Sequence, residues 1–315
     1  MRPYVIKCAF ASSLNTMMIK RNPVPFLIIF FLSFSSIQLV ASPQVPDYII
    51  YKNDTVVTYN LLVEQYLQKN EVVPSPKLFG FSFRDSFLTS TNCWRGYQAI
   101  YKIENDSLFL VDMIRCGERR YGSIDTAASA KRMKYSFKEK VIDGKVFIDW
   151  FSGDLSFPLN HNVLRWDGVF YTIYEKETVV NVHQGQIQKV ENVDNYEKKR
   201  HALNREDKDK VSDLFIKILS KLNWKNINEF CAENYTISID KDGKVAKVSM
   251  SKYQDPDTIA EYWDRDKYDS CINTIFNALR KCRFDILKDK GKPISEDIYF
   301  GIWYDSKKRK IVKAA

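Results

Sequence analysis

From Tyr97 onward the sequence alternates apolar and polar residues in runs too short for helices. Tyr97 to Ile103 and Leu108 to Ile114 flank Asn105-Asp106, a dipeptide that accepts the left-handed backbone of a tight turn. Further runs span Lys145 to Phe151, Asp154 to Phe157, Val169 to Tyr174, Thr178 to His183 and Gln186 to Val193. Asp143-Gly144, Gly153, Asp167-Gly168 and Gly185 punctuate them. A period of two buries one face of each run, which predicts an antiparallel β-meander. Upstream, residues 47–59 predict a hairpin about Asn53-Asp54. Leu61 to Gln68 and residues 125–134, capped by Asp125, predict short helices, and 70–92 a loop.

Hydrophobic residues make up 45% of the 315, enough to fill real cores and to exclude a disordered chain. Only 11 are glycine, which argues against multi-glycine nucleotide loops. The net charge is +9; without Arg2, Lys7, Lys20 and Arg21 of residues 1–41, which contain no acid, four are lost and +5 remains. That mild excess is a solvated mixed surface and calls for no nucleic acid.

Lys20 and Arg21 precede an apolar run, Pro25 to Ala41, that ends in small residues at Ala41-Ser42. Basic start, apolar middle and small end are the layout of a secretory signal, with an uncleaved anchor as the alternative. The stretch before Met17 is foreign to such a signal, so translation is expected to start at Met17 or Met18. Export implies the periplasm or envelope, with membrane contact only through this segment.

An exported chain folds where disulfides persist. Cys8 leaves with the leader, and Cys93, Cys116, Cys231, Cys271 and Cys282 remain. Cys93 and Cys116 sit at the open end of the first strong hairpin, so a bridge is expected, two buried thiols being the alternative. Cys271 and Cys282 are 11 residues apart on one predicted helix, about 16 Å, too far to bridge. Cys231 lies nearer Cys271, leaving Cys282 as a core thiol. No C-x-x-C pair occurs and His161, His183 and His201 are scattered, so neither a metal nor another cofactor is expected.

Residues 194–210 are densely charged with mixed sign and read as a solvated linker. Val211, Leu214, Phe215, Ile218, Leu219 and Leu222 then form one helical stripe, with Asn204 as expected N-cap. Further on, Tyr235 to Ile239 and Lys244 to Met250 alternate about Asp240-Lys241-Asp242-Gly243. Tyr268 to Cys282 shows a helical face, and Ile294 to Tyr304 a long strand with Ile298, Phe300, Ile302 and Tyr304 on one face.

This order, with Asp242-Gly243-Lys244-Val245, Ala278-Leu279, Arg283-Phe284 and Gly291-Lys292-Pro293-Ile294, resembles the C-terminal domain of the TonB family over residues 233–304. The resemblance implies binding of an extended segment of an envelope or outer-membrane protein by strand pairing at an exposed edge. The expected edge is the strand carrying Ile294, Ile298, Phe300, Ile302 and Tyr304. Cys93-Trp94-Arg95-Gly96-Tyr97 and residues 146–155 resemble a module of uncharacterised exported bacterial proteins, which implies export and no activity. Trp94, Arg95, Asp149 and Trp150 are candidates for a ligand groove, aromatics with a few polar groups being the usual lining; the alternative has the aromatics in the core and the charges on the surface.

The expected fold class is α+β. The division is a signal at 1–41, a β-rich domain at 43–195, a charged linker and helix at 196–224, a β-β-α-β domain at 225–305 and a basic tail at 306–315. The expected function is protein binding in the envelope. The alternatives are an enzyme or ligand-binding protein with its site in the N-terminal β domain, and a structural interaction protein. No G-x-S-x-G, H-E-x-x-H or Walker loop is present, which weighs against catalysis.

Overall fold

The turn dipeptides adopt the backbone their side chains tolerate. Lys52-Asn53 and Asn105-Asp106 all take left-handed φ angles between 49° and 68°. The first pair closes β1 (Asp47–Tyr51) onto β2 (Asp54–Thr58). A computed structural model describes residues 44–71, 92–93, 95–121, 125–222, 224, 231–305, 307 and 310–313. The expected loop at 70–92, the leader, Cys8 and Trp94 lie largely or wholly outside the described residues.

Helix α1 (Leu62–Lys69) follows, then β3 (Tyr97–Glu104) and β4 (Ser107–Arg115), joined by the second turn. A short α2 (Glu118–Tyr121) leads to α3 (Thr126–Phe137), whose N-cap Asp125 accepts the Ala128 N–H at 2.9 Å. The small hairpin of β5 (Val141–Ile142) and β6 (Lys145–Phe147) ends earlier than the alternation predicts. Asp149 and Trp150 form a turn instead, because the Trp150 indole N–H turns back to Leu62 O at 2.9 Å. Next come β7 (Gly153–Pro158), the hairpin β8 (Val163–Trp166) and β9 (Thr172–Tyr174), and the hairpin β10 (Lys176–His183) and β11 (Gln186–Asp194).

The main sheet runs β2-β1-β3-β4-β11-β10-β7, antiparallel except for the β1–β3 pair. It curls until its two end strands meet. There the seam carries no backbone ladder; Thr58 Oγ1 and Asn60 Nδ2 reach Ser156 O at 3.2 and 3.1 Å. Ile49, Tyr101, Leu110, Val146, Leu155 and Val180 fill the inside, capped by Leu62, Val63 and Leu67 of α1 and Met133 of α3.

The charged segment after β11 is not a solvated linker. Its β12 (Tyr196–Glu197) pairs with β15 (Ile286–Asp289), and Asn195 and Arg205 are fully buried. Tyr196 donates to Asp285 at 2.8 Å and accepts the backbone N–H of Arg205, which ties the segment to β15. Helix α4 (Lys208–Leu219) begins later than expected. Asp207, not Asn204, caps it, accepting from the Asp209 and Lys210 N–H groups, while Asn204 caps the preceding turn at Glu206.

The last sheet has the order β14-β13-β17-β18, from β13 (Asn234–Ile239), β14 (Val245–Met250), β17 (Glu296–Asp305) and β18 (Lys310–Lys313). The expected basic tail therefore supplies a strand. Asp255 caps α5 (Pro256–Tyr262), with proline at the first helical position. Helix α6 (Arg265–Leu279) lies on β14, and β15 turns into β16 (Lys292–Pro293). The α4 stripe packs here, with Phe215 against Phe284 and Phe300 at 5.9 and 5.4 Å. Burying such a ring is worth about 1.5–3 kcal/mol.

The fold class is α+β with antiparallel sheets. Disulfides join Cys93 to Cys116 and Cys231 to Cys271, with Cα atoms 6.3 and 5.6 Å apart. Cys282 is free and lies beyond the end of α6, half-buried rather than fully in the core.

Candidate functional site

Of the four residues expected to share a groove, Trp94 lies outside the described residues, and Arg95 does not join Asp149 and Trp150. Arg95 is buried in a charge cluster, its guanidinium 2.9 Å from Asp47 Oδ1 and 3.6 Å from Glu64 Oε2. Asp47 also accepts from the Ala99 N–H and the Tyr101 hydroxyl, and Tyr97 donates to Glu64. Burial raises the Glu64 carboxyl despite Arg95. This cluster pins β1, α1 and β3 together and is structural. Trp150 packs against Tyr66 and stacks on Phe137, with centroids 4.8 and 6.0 Å away. Asp149 is exposed and paired with Lys140 at 2.9 Å. Asp149 and Trp150 do rim a hollow of about 430 Å³ with Tyr66, Lys69 and Gln184, but Arg95 does not line it.

The strand expected to be a free edge lies inside its sheet. β17 pairs with β13 over Glu296–Gly301 and with β18 over Ile302–Asp305. On the stretch β18 does not reach, Ser212 of α4 donates to Tyr299 O at 3.3 Å. Ile298, Phe300 and Ile302 are core residues, Tyr304 is half-buried against the same core, and Ile294 packs on the small cluster of Leu164, Ile173, Tyr196 and Leu287. The chain ends in a further strand because Ile311 and Val312 continue the alternation past the basic turn.

A different site forms where the curled sheet closes. At the seam, Tyr59 and Asn60 after β2 face Phe157 and Pro158 of β7. The β8–β9 hairpin lays Phe170, Tyr171 and Tyr174 over the gap, and the β15–β16 turn brings Asp289 and Lys290 from the far end of the sequence. Together with Glu177 of β10 they enclose about 260 Å³. The hairpin is aimed by Asp167, whose Oδ1 accepts the N–H groups of Val169, Phe170 and Tyr171 at 2.7–3.0 Å. Tyr59 and Phe170 meet edge-to-face at 6.5 Å.

Glu177 is 2% exposed, so its carboxyl reaches solvent only through this pocket. Asn195 Nδ2 donates to its Oε2 at 2.6 Å. Burial, helped by Asp289, pushes the carboxyl up to about 7, while Asn195 and Lys290 oppose the rise. The Tyr171 hydroxyl hydrogen-bonds Asp289; burial and that carboxylate push it above the usual phenol range. Burial likewise raises Tyr174, to about 12, so both tyrosines stay neutral donors. The Lys290 ammonium is turned away, donating to Asp154 O at 3.1 Å.

Sequence reasoning assigned Val169 to Tyr174 only to a strand and left Glu177 just ahead of the next, Thr178 to His183. The available signal was the density of aromatics in FYTIYEKE at 170–177 around a single inward acid. The pairing with Asp289, more than a hundred residues away, left no local trace. Among the described residues, no cluster of His, Cys, Asp and Glu could hold a metal ion, and no helix is long and apolar enough to cross a membrane. Two disulfides fit an oxidising compartment. No family model, curated protein or solved structure matches the chain.

Proposed function

We propose that this chain is an exported protein of the periplasm or envelope that works by binding, and that its ligand occupies the pocket at the β2–β7 seam. The buried Glu177 carboxyl carries the reading: it is held from behind by Asn195 and opens only onto an aromatic wall. A preformed concavity with aromatic sides and a few convergent polar groups is the usual form of a small-molecule site. The expected binding edge at β17 is covered, which moves the weight from strand pairing to this pocket. Thermal-shift screening of small polar metabolites against the wild type and Tyr174→Ala tests it. Stabilisation present in the first and absent in the second supports the site; compounds that stabilise both equally reject it.

The TonB-like reading keeps one specific support: β14 ends its sheet, so among the described residues the outer side of Val245–Met250 carries no strand, only the bridges of Lys244 with Arg283 and of Met250 with Tyr253 flanking it. A photo-crosslinker at the exposed Lys247 that captures an envelope protein would favour it. Export itself rests on the basic, apolar and small segment from Lys20 to Ser42; intact-mass analysis of the envelope fraction should find a mature chain without Phe26 to Phe34.

A further inference from the structure

We infer that the seam pocket recognises a small organic cation, a primary or quaternary ammonium compound. The inference rests on the binding reading above and names its ligand class. Five aromatic rings, Tyr59, Phe157, Phe170, Tyr171 and Tyr174, line the space. The face of such a ring carries negative potential and attracts a cation placed over it. Two carboxyl groups, Glu177 from β10 and Asp289 from the β15–β16 turn, supply the matching charge. The third acid, Asp167, is already spent on three backbone N–H groups.

The lining contains one cation, Lys290, and its head is bound to Asp154 O outside the pocket wall. An anion would therefore meet two carboxyl groups against one ammonium, Lys290, that is already held by Asp154 O. A neutral ligand would leave Glu177 and Asp289 with that single cation between them. An ammonium ion satisfies both the rings and the acids. The groups facing Glu177 are Asn195 behind it, Tyr174 beside it, and Asp289 and Lys290 across from it. Entry of a cation there stabilises the ionised carboxylate and releases its proton, so affinity should rise as pH increases toward neutrality.

Calorimetric titration of the full exported chain with choline, and with its neutral isostere 3,3-dimethylbutan-1-ol, decides the matter. Choline should bind at least about tenfold more tightly than the isostere, as expected for a desolvated cation over aromatic rings. Its affinity should weaken several-fold from pH 8 to pH 6. Tyr174→Ala should abolish binding, and Asp289→Asn, at a half-buried turn where the fold is safe, should weaken it several-fold. Equal affinity for both compounds, lost in Tyr174→Ala, would overturn the cation and keep the site. Failure of both compounds to bind, or binding untouched by Tyr174→Ala, would remove the cation, and the second result the site with it.

Discussion

Asn195 holds the Glu177 carboxyl from behind, at 2.6 Å, and with the same side chain reaches two other elements. Its Nδ2 also donates to Tyr174 O at 2.9 Å, and its oxygen accepts the Gly291 N–H at 2.9 Å. One buried amide thus fixes β9, β10 and the β15–β16 turn around the pocket floor.

A pH dependence of stability follows. Glu177 titrates near 7 when folded, against its ordinary value of 4.5. Between those values the native state binds more protons than the unfolded one, so stability falls as pH rises through the window and levels off above it. The shift corresponds to at most about 3 kcal/mol. In urea unfolding from pH 5 to pH 8, Glu177→Gln should lose much less stability than the wild type; parallel curves would show that Glu177 titrates normally.

Arg95→Ala should cost about 3–5 kcal/mol, because it leaves the fully buried Asp47 carboxylate without its cation. Chemical denaturation measures this directly. A loss below 1 kcal/mol would mean that the Ala99 and Tyr101 donors suffice.

Gly243 sits at φ 75° in the β13–β14 turn, and a Cβ there would lie 2.2 Å from Phe284 O. Gly243→Ala combines a left-handed backbone with a clash against rigid main chain, so about 2–3 kcal/mol of destabilisation is expected. Gly144 has the same φ with nothing within 4 Å, and Gly144→Ala should cost clearly less. Similar losses for the two would refute the close approach.

The Cys231–Cys271 bridge spans 40 residues, worth about 4 kcal/mol in the loop-entropy model. Reduction should lower the unfolding temperature markedly, while Cys282→Ser should leave both bridges intact. Non-reducing peptide mapping that finds Cys282 in a disulfide would contradict the structure.

β11 pairs with β4 only through Gln186, so most of its outer side is an open edge. Lys189 and Glu191 stand exposed on it, the charged guard that discourages edge-to-edge pairing. Replacing both with valine should drive concentration-dependent association in sedimentation velocity, leaving the fold intact by circular dichroism.

Period-two alternation made the hairpins legible; the Cys93–Cys116 bridge followed from the open end of one hairpin, and Cys231–Cys271 from the spacing of Cys271 and Cys282 on a helix. Helix starts were read less well: Asn204 and Asp207 are both good caps, and only packing of the Val211 stripe decided for the second. Residues 194–210 misled because charge density hides the inward residues among the outward ones: Asn195, Tyr196 and Arg205 are buried, and Tyr196 donates to Asp285. The covered β17 could not be foreseen from its own composition, since Ile311 and Val312 lie past a run of lysines that read as a tail. The pocket was illegible because its walls come from four separated stretches, each an ordinary strand or turn by itself.

Between its first and last strands the curled sheet has no backbone ladder; among the described residues, Thr58 and Asn60 clasp Ser156 O there. Such a join opens at the cost of these two hydrogen bonds and no ladder. Amide exchange should therefore begin along β2 and β7, ahead of β3 and β10. A molecule lodged at that join would act as a fastener, and its arrival would be read as slowed exchange along β2 and β7, beyond the few residues that line the pocket.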